Sequence, residues 1–390
     1  MVMRSIGAAA AGAVVFALGA VACNALVGNA DPVLAYDAPD APSGGDTGAK
    51  RDPSVKRDAG ADSGADSDAN SPVAIATDQD SPTAVAVDRE TAGYVYWVLG
   101  GDAKLIVRKP KSRPEAAIET VFKSDDAYNE RPTEVAVDDA DLFWITQNDH
   151  GSTVYWGDKD GAFPHRFDHD GIATALALDG TAIYWTTEAP ASIRLWPTVG
   201  GGGSAGVLRW DLVPPPGGDP RRPREIAVEP GASGRIFWME SNARDQAMHR
   251  MSKEGTAATP LYSAPNGASD TSMLPVLALT ATDIYFTDIR GDRILRTNKD
   301  GQCPGRPACP EVVVDATHVA YPIQLTLDGD KLYWANREDG RIARCNLDGS
   351  QVTTLAFAKD TPYRMAIDDT AIYFTVRSAL SHGSVWKVAK

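Results

Sequence analysis

Six histidines and four cysteines in 390 residues leave little material for metal or nucleophilic chemistry, so the placement of those few matters. The suggestive histidines are His165 and His169 in HRFDHDG, flanked by Asp168 and Asp170. On a strand, residues four apart share a face, which is what two ligands of one divalent ion need. A solvated strand end followed by a turn has the same composition and is the reading adopted, so no metal is assigned. The sequence contains no Ser-His-Asp elbow, H-E-x-x-H, phosphate-cradling loop or EF-hand spacing. The run Gly200 to Gly203 lacks the Lys-Ser/Thr that a phosphate loop requires and reads as linker. No catalytic residue and no cofactor is assigned.

A second polar set emerges from register. Glu134, Glu225, Gln324 and Arg364 each stand four residues before the last residue of a phrase that recurs seven times, where the other copies carry Ala84, Ala175 and Val276. Charged groups converging on one opening are what a small-molecule or ion site needs. These four are the candidate binding residues. The alternative is that they pair with one another, Arg364 with Glu134 or a neighbour, and only seal the opening.

The phrase is a small-apolar run ending in an acid, a short gap, then an aromatic pair. Its copies are AVAVD ending at Asp88, EVAVD at Asp138, ALALD at Asp179, EIAVE at Glu229, VLALT at Thr280, QLTLD at Asp328 and RMAID at Asp368. The pairs that follow begin at Tyr96, Phe143, Tyr184, Phe237, Tyr285, Tyr333 and Tyr373. A period of roughly 40 to 50 residues, each unit unable to bury its own faces, is the signature of a radial array. The expected fold is an all-β, seven-bladed β-propeller of four-stranded antiparallel blades, over residues 72–390.

Within a blade, the phrase is the inner strand. Six copies carry alanine two residues before the acid position, which suggests small side chains crowding a central channel. Pro82, Pro132, Pro223, Pro322 and Pro362, six before it, pre-set an extended entry. The aromatic pair opens the second strand, and a third run closes on Asp-Gly or Glu-Gly before an outer strand. The last copy runs out after three strands, and VAIAT (Val73 to Thr77) stands unused before the first copy. That segment, in a strand at about 72–78, is expected to complete the seventh blade and leave no long edge open.

Cys303 and Cys309 bracket CPGRPAC between the third and fourth strands of blade 5 and are expected to form a disulfide in an exported protein. Cys345 then reads as a buried strand thiol, with re-pairing to Cys303 or Cys309 as the alternative. The longest insertion, Pro197 to Arg224, carries Arg221, Arg222 and Arg224 on a Pro/Gly loop, where binding and mere solvation fit equally.

Residues 1–22 hold one cation, Arg4, then an apolar stretch ending in Ala20-Val21-Ala22 before Cys23, the organisation of a secretory signal peptide. The junction resembles a bacterial lipobox, in which Cys23 is lipidated, although Ala20 stands where Leu is usual. Ordinary cleavage giving a soluble exported product is the alternative. Asn24 in place of Asp points to the outer membrane. Residues 23–71 are a tether rich in Asp, Ala, Gly, Ser and Pro that cannot offset the entropy of ordering. The 35 residues from Asp37 to Ser71 would span about 30 Å as a coil and roughly 115 Å at full stretch. A net charge of −14 and a pI near 4.9 argue against nucleic acid as a partner.

Aromatic pair, following polar residue, upstream acid and downstream Asp-Gly together resemble the YWTD propeller of low-density-lipoprotein-receptor-type proteins. Exported bacterial lipoprotein propellers are similar still. The nearest tetrapeptides are YWTT (Tyr184 to Thr187) and YFTD (Tyr285 to Asp288). Receptor propellers have six blades and adjoin a cysteine-rich module, so their ligands are not carried over. The resemblance specifies a fold more than an activity; the tether, the regular blades and the absence of a catalytic constellation point to a monomeric binding or scaffold module at the bacterial cell surface, touching the membrane only through a lipid anchor. Its ligand, a protein or small molecule, would dock on the entry-loop face, around Tyr128, Met273 and Tyr321. A propeller enzyme of lactonase or lyase type, with Glu134 and Glu225 as ligands at the channel mouth, and a structural envelope component are the competing classes.

Overall fold

The computed structural model describes residues 71–390, except 125–128, 163, 170, 198–207, 213–221, 242–244, 256–257, 266–275, 306–308 and 379–381. Residues 1–70, where the expected signal peptide, Cys23 and nearly all of the expected tether fall, lie outside the described residues, as do Tyr128, Met273, the Gly200 to Gly203 run, Arg221 and most of the Pro197 to Arg224 insertion.

Seven four-stranded antiparallel sheets form the propeller. Blades 1 to 6 occupy residues 82–123, 131–169, 172–211, 223–265, 277–314 and 322–357. Blade 7 takes three strands from residues 361–389 and its outermost strand, Val73–Gln79, from the other end of the chain. Val73 faces Lys387 and Gln79 faces Gly383 across that closing pair, as the unused VAIAT segment predicts. Inner strands run from the proline entry face to the acid face, so Val73–Gln79 runs the opposite way and starts at the acid face. Ser71, Val73 and Ala389 accordingly line one cleft with Asp368.

One expectation is corrected. The recurring alanines do not line the channel; they pack between blades. Ala84 and Ala86 sit in one core with Val135 and Trp144 of blade 2, and Ala175 and Ala177 in another with Ile226 and Trp238 of blade 4. Blades stack face to face like a fan, so only strand edges look onto the axis. Alternation therefore sends Ala toward the next blade and the large aliphatics toward the previous one. Small side chains are needed because the wedge between blades narrows there. Five tryptophans of the second strands, at 97, 144, 185, 238 and 334, fill these wedges and are fully buried.

Each motif residue has a local reason. In six inner strands the ladder slips at the entry end, between Pro132 and Glu134 for example, or Pro362 and Arg364. Proline has no N–H for the ladder, and the slip turns the following residues inward. In blades 5 and 7 the freed N–H groups of Val276 and Arg364 donate to Thr287 and Thr375 hydroxyls at 2.9 and 3.0 Å. That is the work of the threonine after the aromatic pair. The closing glycines serve a close approach as well as a turn. Gly161 and Gly349 have φ of 81° and 83°, and a Cβ on either would overlap Val121 O or Val313 O on the previous blade's outer strand.

Cys303 and Cys309 are disulfide-bonded, with Cα atoms 5.4 Å apart. Cys345 is a buried free thiol whose burial pushes it up to about 12. Its place in the blade 5–6 wedge, beside Ala343 and Trp334, excludes re-pairing in this state.

Candidate functional site at the channel mouth

Slipped registers put Glu134, Glu225, Gln324 and Arg364 at the same height on blades 2, 4, 6 and 7, facing Ile145, Met239, Ala335 and Thr375 on their second strands. All four are buried, at 2, 4, 2 and 7% exposure. Burial pushes the Glu225 carboxyl well above the usual carboxylate range; Arg364 opposes the shift and Glu134 adds to it. Those three residues belong to blades that are not neighbours. Glu134 and Arg364 thus act on Glu225 electrostatically across blades that are not adjacent. Gln324 joins them by register, and its buried Oε1 accepts no hydrogen bond among the described residues. Arg364 also lies over the Tyr363 ring at 4.6 Å, and Arg377 faces that same ring at 4.7 Å.

Around this set the entry face is tied by further polar contacts. Arg224, expected on an unconstrained loop, is instead a buried strand residue ion-paired with Glu188. Glu240 accepts the Trp238 indole N–H at 2.7 Å and contacts His249 at 3.3 Å, with His249 stacked on Trp238. Glu130 accepts hydroxyl bonds from Thr146, Thr153 and Tyr155 and one from Arg166, at 2.8 to 3.3 Å. Neither cluster recurs from blade to blade, so the repeat offers no signal for them. His165 is exposed and stacks on Trp156 in the outer strand of blade 2. Among the described residues no group of three or more His, Cys, Asp or Glu side chains could hold a metal ion. Tyr321 sits under the Arg337 guanidinium, half-buried, at a φ of 53°.

At the opposite face the recurring acids are fully engaged. Asp368 accepts the Thr370 and Ala371 backbone N–H groups and the Tyr373 hydroxyl, and is bridged by Lys111 of blade 1 at 2.9 Å. The same link from the next blade joins Lys159 to Asp88, Lys253 to Asp179 and Lys299 to Glu229 at 2.5 to 2.6 Å, and Lys390 to Asp328. Burial alone would raise Asp179, Glu229 and Asp368, yet the lysines and hydrogen-bond donors hold all three below their ordinary values. Thr280, the one non-acid, faces a blade whose equivalent residue is Leu347. The Asp138 carboxyl is raised by burial. Lys111, Lys159, Lys253 and Lys299 each stand at the turn that closes the third strand.

No family model matches this chain. Solved structures similar to it include a chain of a nidogen–laminin complex, 18% identical over 70% of this chain and 97% of that one, TM-score 0.47. Another is regucalcin, a calcium-binding protein from Agrobacterium tumefaciens strain C58, 14% identical over 82% and 96%, TM-score 0.47. A third is a prolyl endopeptidase, 14% identical over 80% of this chain and 47% of that chain, TM-score 0.54. At these identities the likeness is one of fold.

Proposed function

We infer that the chain is an exported binding module, a YWTD-like propeller akin to those of bacterial lipoproteins, held at the cell surface through Cys23. Its ligand docks on the entry face, with Glu134, Glu225, Gln324 and Arg364 at the centre. The observation that carries this reading is the geometry of the termini. Ser71 lines the acid face with Ala389, so the preceding chain leaves from the side opposite the channel mouth. An anchor at Cys23 would hold the acid face toward the membrane and the entry face outward. Long-chain acyl labelling of the expressed protein, with Cys23→Ser beside it, tests the anchor. Labelled, membrane-bound wild type and an unlabelled, released variant are expected. A variant that stays bound to the membrane would sink the anchoring. A pull-down with the full mature chain, blocked by charge substitutions on the entry face and not on the acid face, tests the docking side.

A further inference from the structure

We propose that the cleft at the ring seam on the acid face binds a phosphate ester, its phosphate held by Arg89 and Lys387 and its organic part lying on Val73 and Ala389. This is a second site, away from the channel mouth, and it does not depend on a ligand docking there. The cleft is lined by blade 7 and blade 1 and has a volume of about 500 Å³. That is too large for a bare oxyanion and within the range of small-molecule sites. Lys111 and Asp368 line it as a buried ion pair, and Lys111 also donates to the Asp88 backbone carbonyl at 2.6 Å. Those two charges therefore satisfy each other.

The charge left over has its cause in the way the ring closes. In blades 1 and 5 the third strand carries Arg108 and Arg296 opposite Tyr96 and Tyr285, and the outer strand sets Glu119 and Glu311 directly across from them. Both pairs are joined, at 2.8 and 2.7 Å. Lys387 has the same place in blade 7, opposite Tyr373, but the outer strand there comes from the other end of the chain and sets Val73 across from it. Val73 is 52% exposed and supplies no charge. Arg89 is the only cation that directly follows the last residue of a phrase copy, and it lines the same cleft. Neither Arg89 nor Lys387 has a side-chain ion pair or hydrogen bond among the described residues. Against these two cations stands one carboxylate in the same condition, Asp369, so the cleft is net positive in a chain of formal charge −14.

A guanidinium fork beside an ammonium suits an anion with several oxygens. Thr91 and Ser112 also line the cleft, and their hydroxyls can donate to further oxygens. A carboxylate leaves those donors over, whereas a phosphate uses them. Exposed Val73 and Ala389 offer an apolar wall to a hydrocarbon substituent, which inorganic phosphate lacks.

The test is calorimetric titration of the full mature chain carrying Cys23→Ser, so that no acyl group is present, with glycerol 3-phosphate at low ionic strength. Glycerol and sodium sulfate serve as controls, and the same protein is sedimented with phosphatidylglycerol vesicles. Binding of the ester, and not of glycerol or sulfate, is expected. A response to soluble glycerol 3-phosphate assigns a free ester; sedimentation with vesicles alone assigns a lipid headgroup. Val73→Glu places on the closing strand the acid that blades 1 and 5 carry there, so it is expected to fold, to pair with Lys387 and to weaken binding about fivefold or more. Lys387→Gln is expected to weaken it as much, and Asp369→Asn, which removes the like charge, to strengthen it. The proposal is overturned by wild type that neither titrates nor sediments, by equal binding of sulfate, or by binding that survives unchanged in both Val73→Glu and Lys387→Gln.

Discussion

The two ends of the propeller's inner strands solve the burial of charge in opposite ways. At the acid face, five of the seven copies set a carboxylate against a lysine from the next blade, and in Asp88, Asp179 and Asp368 backbone N–H and tyrosine hydroxyl donors complete it. At the entry face two glutamates, a glutamine and an arginine occupy one register position; burial raises Glu225 and Gln324 Oε1 has no hydrogen-bond partner among the described residues. Where the copies agree, the residue locks one blade to the next. Where they disagree, a buried acceptor, Gln324 Oε1, is left without a donor among the described residues.

Substitution should separate the two ends most sharply at the ring seam. Asp368→Ala strands the Lys111 ammonium, whose side chain is 7% exposed, and removes the cap on Thr370 and Ala371. A loss of about 3 kcal/mol or more by chemical denaturation is expected, as for one half of a buried pair. Glu225→Gln at the other end should cost nothing at pH 7 and is expected to stabilise by about 1 kcal/mol, because it removes a disfavoured buried charge. A comparable loss in both variants would erase the contrast.

Building the missing link is the next largest effect. Thr280→Asp with Leu347→Lys should recover a coupling of about 1 kcal/mol in a double-mutant cycle, against zero if the two positions do not meet. Acid titration offers a finer separation. Asp179, Glu229 and Asp368 are lowered in the fold, so their stabilisation is complete above about pH 5 and disappears as pH falls through their folded values. Asp138 is raised, so its share is present below about pH 4 and disappears as pH climbs through its folded value. Asp138→Asn is therefore expected to leave the acid limb of the stability profile unchanged while lifting the neutral plateau by a few tenths of a kcal/mol. Asp179→Asn should flatten the acid limb instead. The smallest signal is chemical: the Cys345 thiol, pushed up to about 12, should escape a thiol reagent at pH 8 until denaturant is added.

Much of the fold was legible because the repeat is long and its turns are strict. The blade number, the strand from before the first copy and the Cys303–Cys309 bridge all follow from register and local chain geometry. The alanines were misplaced because alternation reveals that two faces exist and not which neighbour each one meets. Lys111, Lys159 and Lys253 carried a regular spacing to the acids, but it is visible only once one knows that the third-strand turn of one blade lies under the inner strand of the previous blade. At the channel mouth, the sequence supplied the four candidate positions; their depth of burial was not readable from it.

Local rules thus settled where strands begin, where they turn, which side chains share a face, and that the ring must close through its own ends. Only the assembled ring decided which charges are neutralised. Whether a carboxylate meets a lysine, a tyrosine hydroxyl or a second carboxylate depends on residues tens to hundreds of positions away, 257 for Lys111 and Asp368, brought together by closure. The same closure sets Glu134 and Arg364 where their charges act on Glu225.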